Sequence, residues 1–227
     1  SDLLTNIGIP VLDEHTIVNV KGRTRVNKVQ VMAIDKIGES VVGKRHEIKC
    51  DLVAVSGGWN PTVHLHTQSG GSLKFDEFFS CFVPSECAQE EISVGSSNGT
   101  FSLEDCLKEG ATAGVTAAHK TGFSTGSPTT PAITSTETAI SKQRDLWILP
   151  SPDRTGHGPK RFVDLQTDTT INDLEIATRE GYESIEHIKR YTTLGMGTDQ
   201  GKSGNMLGIG VVSRIQSKDI SSIGTTT

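Results

Sequence analysis

The stretch from Phe162 to Leu207 constrains the fold most, because it combines helical periodicity with signals for the start and end of a helix. Thr170 precedes an apolar-periodic run, and Asp173 follows at the spacing of a capping box, which predicts a helix start. Gly181 favours the left-handed backbone conformation that ends a helix. We therefore predict a short helix between Thr170 and Gly181.

Two more helices are predicted in the same stretch. Ser184 can cap the second helix, because its hydroxyl can accept a hydrogen bond from a backbone amide of the first turn. Gly195 and Gly197 are expected to end this helix. The third helix is predicted to start near Gly201 and to run towards Ser217.

The loop between the second and third helices carries the most suggestive chemistry. It combines cationic side chains, hydroxyls and glycines that allow a ligand to approach the backbone. Amides at the start of the third helix would favour an anion. Either a phosphate or carboxylate binds here, or the loop is a glycine-rich connector with solvated charges. The candidate binding residues are Lys189, Arg190, Thr192, Thr193, Thr198, Gln200 and Lys202.

These residues also carry a resemblance to a known family. Residues 184–202 read SIEHIKRYTTLGMGTDQGK and are similar to the alpha subunit of heterotetrameric sarcosine oxidase. The same helix-turn-helix shape resembles the small domain of bacterioferritin-associated ferredoxin, in which four cysteines hold a two-iron–two-sulfur cluster. Residues 163–165 and 195–200 contain no cysteine. The resemblance therefore implies a helical domain that has kept its shape without an iron–sulfur cluster.

Composition argues against several function classes. The net charge of -5 provides no general attraction to nucleic acid. No apolar run approaches the length of a membrane span, and no signal-peptide pattern opens the chain. The cysteines at positions 50, 81, 87 and 106 form no C-x-x-C pair. They predict reduced, mostly buried thiols of a cytoplasmic protein rather than disulfides or metal ligands.

The first part of the chain predicts an antiparallel β-meander. Strands are expected at Thr16 to Val20 and Val26 to Ile34, around a KGRT turn, with a third strand at Val41 to Ile48. The continuous apolar run from Cys50 to Ser56 precedes two glycines and predicts a buried parallel strand.

The next segment, SGGWNPTVHLHTQSGG at residues 56–71, is similar to the SGGWxPxVHLHxQxGG motif of the same subunit family. His64 and His66 lie two residues apart, so on a strand they would share a face. They are either a metal pair or histidines that pack and form hydrogen bonds. We favour the second reading and predict no metal ligand, because no carboxylate or third ligand is near in the sequence.

A strand-glycine-helix pattern follows. Ile92 and Val94 predict a strand, Gly95 to Ser97 predict a tight turn, and Ser102 with Asp105 has the spacing of a second capping box. Small residues further along would let this helix lie close to a sheet. Either a nucleotide phosphate or ribose binds at the helix start, or the element is an ordinary connection between strand and helix.

The resemblance implies that this element closes a dinucleotide site that holds NAD where related flavoproteins hold FAD. Matching the family turn residue by residue points to Ser96, Phe101 and Leu103 as NAD-proximal. The glycine-rich fingerprint for the pyrophosphate is absent from these 227 residues and is expected upstream of them.

The predicted fold class is α/β. Residues 1–120 are interpreted as the closing half of a Rossmann-like FAD/NAD(P)-binding domain with a β-meander. Residues 121–160, rich in Thr, Ser, Gly and Pro, are interpreted as a linker. Residues 161–227 are predicted to form a small helical, cluster-less ferredoxin-like domain. The ends of the chain indicate an internal fragment of a longer protein.

The resemblance implies oxidative demethylation of sarcosine to glycine, with formation of peroxide and methylene-tetrahydrofolate. It implies NAD in this subunit, FMN shared with another subunit and FAD in another subunit. Partners would be the beta, gamma and delta subunits, with tetrahydrofolate bound downstream of this segment and with no nucleic acid or membrane. The segment would supply NAD-proximal and FMN-proximal surfaces, no catalytic residue and no activity alone. Two alternatives remain: a subunit of a related amine or amino-acid dehydrogenase, and a non-catalytic docking module.

Overall fold

A computed structural model describes residues 4, 6–123, 126–133, 142, 144–153 and 157–224. The chain forms two compact units, one built from residues 1–56 and 146–218 and the other from residues 57–145 and 219–227. Within the described residues, no helix combines the length and apolar character that a membrane span requires.

The elements of the described residues are numbered here in chain order. The strands are β1 (His15–Gly22), β2 (Val26–Ile34), β3 (Val41–Lys49), β4 (Leu73–Asp76), β5 (Cys81–Pro84), β6 (Phe162–Asp164) and β7 (Thr169–Thr170). The helices are α1 (His64–Gln68), α2 (Leu103–Lys120), α3 (Ile171–Arg179), α4 (Ile185–Thr192), α5 (Asn205–Gln216) and α6 (Ile220–Ile223). A 3-10 helix spans Gly95–Asn98.

The predicted β-meander of the first unit is confirmed. Strands β1, β2 and β3 form one antiparallel sheet in that order. The central strand β2 buries Val29, Val31, Met32 and Ile34, whereas β3 is exposed along most of its length. The alternation that predicted β2 holds up to Val31, where an irregularity in the pairing with β3 changes which positions are buried.

The three short helices predicted for the first unit are also confirmed. The backbone amide of Thr170 donates to Asp173 Oδ2 at 2.8 Å, as the capping box requires. Gly181 has φ +97° just beyond α3. The side chains of Leu174, Ile188, Leu194, Val211 and Val212 are fully buried, so the apolar side of each of these elements contributes to the core of this unit.

Two details of this region differ from prediction. Ser184 occupies the N-cap position of α4, but its side chain makes no capping hydrogen bond. Helix α4 ends at Thr192, because Thr193 takes the left-handed conformation with φ +62°. Gly195, which was predicted to end the helix, lies in the loop beyond it.

The second unit contains the antiparallel hairpin β4–β5 and the long helix α2. Ser102 caps α2, and its Oγ accepts a hydrogen bond from the Asp105 amide at 3.3 Å. The predicted close packing of α2 on a sheet is wrong, because no residue of α2 is buried. A Cβ atom added at Gly110 or Gly114 would have no neighbour within 4 Å.

Two predicted strands do not form, the parallel strand at Cys50 to Ser56 and the strand at Ile92 and Val94. Residues 50–56 and 92–94 have no regular secondary structure, and every strand pair among the described residues is antiparallel. A strand exists only where its backbone pairs with a neighbour, and the described residues supply none here. The side chains of Leu52 and Val55 are 75% and 86% exposed, so this apolar run is not a core strand within the described structure.

The two histidines do not share a face, as they would on a strand. His64 and His66 lie on the short helix α1, where residues two apart do not share a face. His66 is buried and His64 is half-buried. This difference in environment follows from the helical period of 3.6 residues.

Candidate functional site

Two carboxylates of the chain organise the loop between α4 and α5. Asp164 is 1% exposed, and its Oδ2 accepts a hydrogen bond from the Gly195 amide at 2.8 Å while its Oδ1 accepts one from the Gln166 amide at 2.8 Å. Asp199 accepts from the amides of Gly201 at 3.2 Å and Ser203 at 3.1 Å. These loop amides therefore already bind anionic oxygens that belong to the protein.

Asp199 is held in its ionised form by these contacts. The Ser203 hydroxyl and amide, followed by the Gly201 amide, lower the pKa of this carboxyl group. Hydrogen-bond donors stabilise the charged carboxylate more than the neutral acid. The turn before α5 is therefore fixed by a charged group at neutral pH.

Asn205, the first residue of α5, fills the inside of the loop. A Cβ atom at Gly195 would lie 2.2 Å from Asn205 Oδ1, and one at Gly201 would lie 2.3 Å from Asn205 Nδ2. Both glycines also have positive φ values, +72° and +78°. The glycines that suggested ligand access thus accommodate Asn205, whose buried Oδ1 has no hydrogen-bond partner among the described residues.

The predicted cations remain available at this loop. Lys189 and Arg190 lie in the last turn of α4, and Lys202 lies in the turn before α5. None of the three forms an ion pair with a carboxylate in the described part of the chain. They are the groups of the loop that can meet a ligand anion without first breaking an internal contact.

The predicted threonine hydroxyls already donate within the chain. Thr192 donates to the Ile188 carbonyl at 2.8 Å, and Thr193 donates to the Thr192 carbonyl at 2.6 Å. Thr198 donates to Gln166 Oε1 at 2.9 Å. Gln200 is exposed and has φ +53°.

The predicted NAD-proximal residues lie at and just after the 3-10 helix. Ser96 is exposed in this helix, and Leu103 is the 54% exposed first residue of α2. Phe101 packs edge-to-face on Phe79, with ring centroids 5.2 Å apart. Glu109 ties the turn together.

The Glu109 carboxylate receives two hydrogen bonds from the turn. Its Oε2 accepts from the Gly95 amide at 2.8 Å, and its Oε1 accepts from the Thr100 hydroxyl at 2.5 Å. Glu104 and Asp105 lie in the first turn of α2, where they suit the positive end of the helix dipole. This start of α2 is acidic, so it suits the hydroxyls of a ribose better than a phosphate.

The four cysteines are all free thiols, but the prediction that most are buried is wrong. Only Cys81 is buried, and burial followed by the charge of Asp76 raises its pKa to about 11. Cys87 is exposed. Desolvation and a hydrogen bond to Glu91 raise the pKa of Cys87, which disfavours a free thiolate nucleophile.

His66 packs inside the second unit and forms hydrogen bonds through both ring nitrogens. It is 2% exposed, and both ring nitrogens have partners, the Ser72 carbonyl and Glu91. Burial lowers its pKa, but the hydrogen bonds to Ser72 and Glu91 outweigh burial, so the net pKa is raised. The nearby carboxylate that the local sequence did not show is supplied by Glu91.

Comparison with known proteins identifies the relatives of this chain. Residues 158–227 match the sarcosine oxidase A3 domain family. Over 224 residues, covering 97% of this chain and 23% of the relative, it is 33% identical to the sarcosine oxidase subunit alpha of Corynebacterium sp. (strain P-1). The corresponding subunit of Corynebacterium sp. (strain U-96) is 34% identical over 225 residues, again 97% of this chain and 23% of the relative.

A third relative and a solved structure extend these matches. The sarcosine oxidase subunit alpha of Rhizobium meliloti (strain 1021) is 31% identical over 218 residues, which is 92% of this chain and 21% of the relative. The crystal structure of L-proline dehydrogenase from P. horikoshii superimposes with a TM-score of 0.64 at 22% identity, covering 100% of this chain and 44% of that chain. At that identity the likeness shows a common fold alone.

The relatives that match nearly the whole chain are subunits of oxidoreductases. More narrowly, they are sarcosine oxidase alpha subunits, to which this chain is homologous over nearly all of its length, and residues 158–227 match the A3 domain of that family. The chain spans between 21% and 23% of the length of these curated relatives.

Sequence reasoning missed Asp164, Glu109 and Asn205. Asp164 ends a three-residue strand, and Glu109 lies one helical turn beyond a capping signal, so neither stood in a recognisable motif. Asn205 lay at the end of the glycine-rich loop, and a buried role could have been inferred for it only from the two glycines that surround it in space.

Proposed function

We propose that this chain is part of the alpha subunit of a sarcosine oxidase and that it lines two nucleotide sites without supplying a catalytic residue. The whole enzyme would demethylate sarcosine oxidatively to glycine, with peroxide and methylene-tetrahydrofolate as further products. FAD would be held in another subunit, FMN would be shared, and beta, gamma and delta subunits and tetrahydrofolate would be partners elsewhere in the complex. Homology to the alpha subunits over nearly the whole chain supports this proposal.

The loop between α4 and α5 is proposed to face the FMN phosphate. The observation that carries this proposal is that Lys189, Arg190 and Lys202 have no ion pair among the described residues, although they flank one loop. Charge-assisted hydrogen bonds from such cations are the strong contacts of phosphate sites. Thr192 and Thr198 would have to rotate their hydroxyls away from Ile188 and Gln166 before donating to a ligand.

The turn at residues 95–103 is proposed to face NAD through Ser96, Phe101 and Leu103. Ser96 and Leu103 are exposed, and Phe101 presents an aromatic ring beside them. Because Glu104 and Asp105 make the start of α2 acidic, the contact is expected to involve a ribose hydroxyl rather than the pyrophosphate.

The predicted segmentation completes the proposal. Residues 1–120 would belong to a dinucleotide-binding domain, residues 121–160 to a linker, and residues 161–227 to a cluster-less ferredoxin-like domain. The sarcosine oxidase A3 match, which starts at residue 158, and the absence of cysteine beyond position 106 support the last assignment.

The FMN proposal is tested in the purified complex of the complete alpha subunit with its partner subunits. Each of the variants Lys189→Ala, Arg190→Ala and Lys202→Ala removes one cation. A charge-assisted contact is worth about 1.5 kcal/mol or more, so each true phosphate ligand should lower FMN affinity about tenfold or more. Flavins released by denaturation are separated and measured, with FAD as the internal reference.

Lys218→Ala is the matched control, because Lys218 is a surface cation that pairs with Glu183 at 3.5 Å. It should leave FMN content unchanged. Unchanged FMN content in all three loop variants would overturn the assignment of this loop to FMN, whatever the activity of the complex.

The NAD proposal has its own test. Ser96→Trp should block the turn and lower the NAD content of the complex at least tenfold, whereas Thr116→Trp on the exposed middle of α2 should not. An enzymatic assay of NAD extracted from each complex measures the difference. Equal NAD content in the two variants would contradict the placement of NAD at this turn.

One observation favours the docking alternative. The loop amides that could bind an anion are already bonded to Asp164 and Asp199. If the loop only docks a partner, the variants at Lys189, Arg190 and Lys202 would lower the amount of assembled complex. The complex that still assembles would keep its full FMN content. Size-exclusion chromatography combined with flavin measurement separates these outcomes.

The dehydrogenase alternative predicts a different cofactor. In that case an iron–sulfur cluster would relay electrons, and iron would be found in the purified complex. The chain shares its fold with L-proline dehydrogenase, so the dehydrogenase alternative is tested as well. The helical region from 161 to 227 contains no cysteine to hold such a cluster, so iron bound there would overturn our proposal.

A further inference from the structure

Three side chains with different metal-binding atoms meet in the second unit. His66, Cys87 and Glu91 place one imidazole nitrogen, one thiol sulfur and one carboxylate oxygen within 4.8 Å of one another. His66 is 2% exposed, whereas Cys87 is open to solvent. The cluster therefore has a fixed buried donor and an accessible side.

The fold brings these residues together from separate elements. His66 lies on α1, and the chain then enters strand β4 through Ser72. Ser72 pairs with the far end of the hairpin, since the Ser72 amide donates to the Glu86 carbonyl and the Ser85 amide donates to the Ser72 carbonyl, both at 2.9 Å. This pairing delivers Cys87, the next residue along the chain, to the histidine.

The hydrogen bond from His66 to Ser72 determines which nitrogen faces the cluster. The Ser72 carbonyl can only accept, so His66 Nε2 carries a hydrogen and donates at 2.8 Å. In the neutral ring, Nδ1 then presents a lone pair to the Glu91 carboxylate, which also can only accept. Either a proton or a metal cation must therefore lie between these two acceptors.

The orientation of the ring is built into the backbone. A Cβ atom added at Gly71 would lie 2.4 Å from His66 Nε2, so only glycine leaves room for the imidazole at this place. A ligating histidine whose second nitrogen donates to a backbone carbonyl is the usual arrangement of metal sites in proteins. Gly71 and Ser72 thus hold the ring as an outer shell would.

We propose that His66 Nδ1, Cys87 Sγ and the Glu91 carboxylate bind a divalent cation of the zinc class. A thiolate and a carboxylate balance the two charges of the cation, and nitrogen, sulfur and oxygen donors together are typical of zinc. A tetrahedral ion holds its ligand atoms roughly 3.5 Å from one another, so the half-buried Glu91 side chain would move away from its direct contact with His66 Nδ1, and the exposed Cys87 side chain would approach by rotation. The fourth position is left to water.

Co²⁺ is the probe for this site, because a cobalt–thiolate bond gives a charge-transfer band and tetrahedral cobalt gives intense visible absorption. Titration of the reduced, purified 227-residue chain with Co²⁺ should produce both signals with one equivalent bound. Zn²⁺ should abolish them by competition. Cys87→Ser should remove the charge-transfer band, and Glu91→Gln should weaken Co²⁺ binding at least tenfold.

Two matched controls accompany these variants. Cys50→Ser removes a cysteine of the other unit. Glu90→Gln removes the carboxylate of the residue before Glu91; this Glu90 carboxylate pairs with Lys120 at 2.5 Å. Both should bind Co²⁺ as the unchanged chain does. Gly71→Ala keeps all three ligands but displaces the ring, so it should weaken binding as well.

Circular dichroism confirms that each variant is folded before titration, and Cys87→Ser is expected to fold because its side chain is exposed. Absence of a cobalt–thiolate band in the folded chain would overturn the proposal. A band that persists in Cys87→Ser, or that disappears equally in Cys50→Ser, would place the metal elsewhere and would also overturn it.

Discussion

Helices α2 and α3 begin with the same signal and end in different environments. Each starts at a hydroxyl residue followed three positions later by an aspartate, and the structure shows a cap at both. Helix α3 buries Ile171, Leu174 and Ala177, whereas α2 buries none of its 18 residues. A capping signal thus indicates where a helix begins and carries no information about what will cover it.

The same contrast separates the two candidate sites. The loop before α5 is held by the buried carboxylate Asp164 and by Asn205, so its backbone is rigidly supported. The turn before α2 is held by Glu109 and one aromatic contact, and its first helical residue, Leu103, is exposed. Substitutions should therefore cost more in the helical region around α3 to α5 than in α2.

The largest difference is expected for leucine truncation. Leu174→Ala should lower the free energy of unfolding by about 3 kcal/mol, because it leaves a cavity at a fully buried position. Leu103→Ala on α2 should change it by less than about 0.5 kcal/mol. Urea unfolding followed by circular dichroism measures both, and similar losses would show that α2 is covered in solution.

Glycine substitution should act with opposite sign in the two regions. Gly210→Ala should destabilise by about 2 kcal/mol, because the added Cβ would lie 2.2 Å from the Trp147 ring. Gly114→Ala should stabilise by roughly 0.5–1 kcal/mol, because its Cβ has open space and alanine favours a helix. Thermal unfolding midpoints that move in the same direction for both variants would refute the contrast.

The smallest effect concerns pH. The pKa of Asp199 is lowered in the folded chain from an ordinary value of 3.8 by its hydrogen bonds to Ser203 and Gly201. Its stabilising contribution is therefore complete above about pH 4 and is lost as the pH falls through the lowered pKa. As the pH falls through the lowered pKa of Asp199, the difference in unfolding midpoint between the unchanged chain and Asp199→Asn should become smaller.

Asp51→Asn provides the reference for this pH series, because Asp51 is an exposed aspartate of the same unit. If the difference for Asp199→Asn changes no more with pH than the difference for Asp51→Asn, the hydrogen bonds around Ser203 do not hold the carboxylate in solution.

Local signals in the sequence predicted much of the fold. The β-meander followed from alternation, and the helices at α2, α3 and α5 followed from caps, periodicity and glycines. The strands predicted at residues 50–56 and 92–94 were wrong, because an apolar run such as Leu52 to Val55 becomes a strand only beside another strand. Periodicity along a chain does not show whether that neighbour is present.

The candidate sites were predicted less completely. The cations at 189, 190 and 202 stay a prediction as ligand contacts, and the glycines of that loop accommodate Asn205. The histidine pair was weighed as it would stand on a strand, and it lies on a helix. The partners of His66 come from positions 21 and 25 residues further along the chain, so no local pattern could reveal them.

The sequence by itself determined the homology of this chain to sarcosine oxidase alpha subunits, its cap positions and the absence of cysteine from the helical region, because each of these depends on residue type and spacing alone. The tertiary structure decided which backbone amides and cations remain available for a ligand. Asp164, Asp199 and Glu109 already accept hydrogen bonds from amides of the two candidate sites. The tertiary structure also decided that His66, Cys87 and Glu91 meet, because the β4–β5 hairpin folds the chain back onto α1.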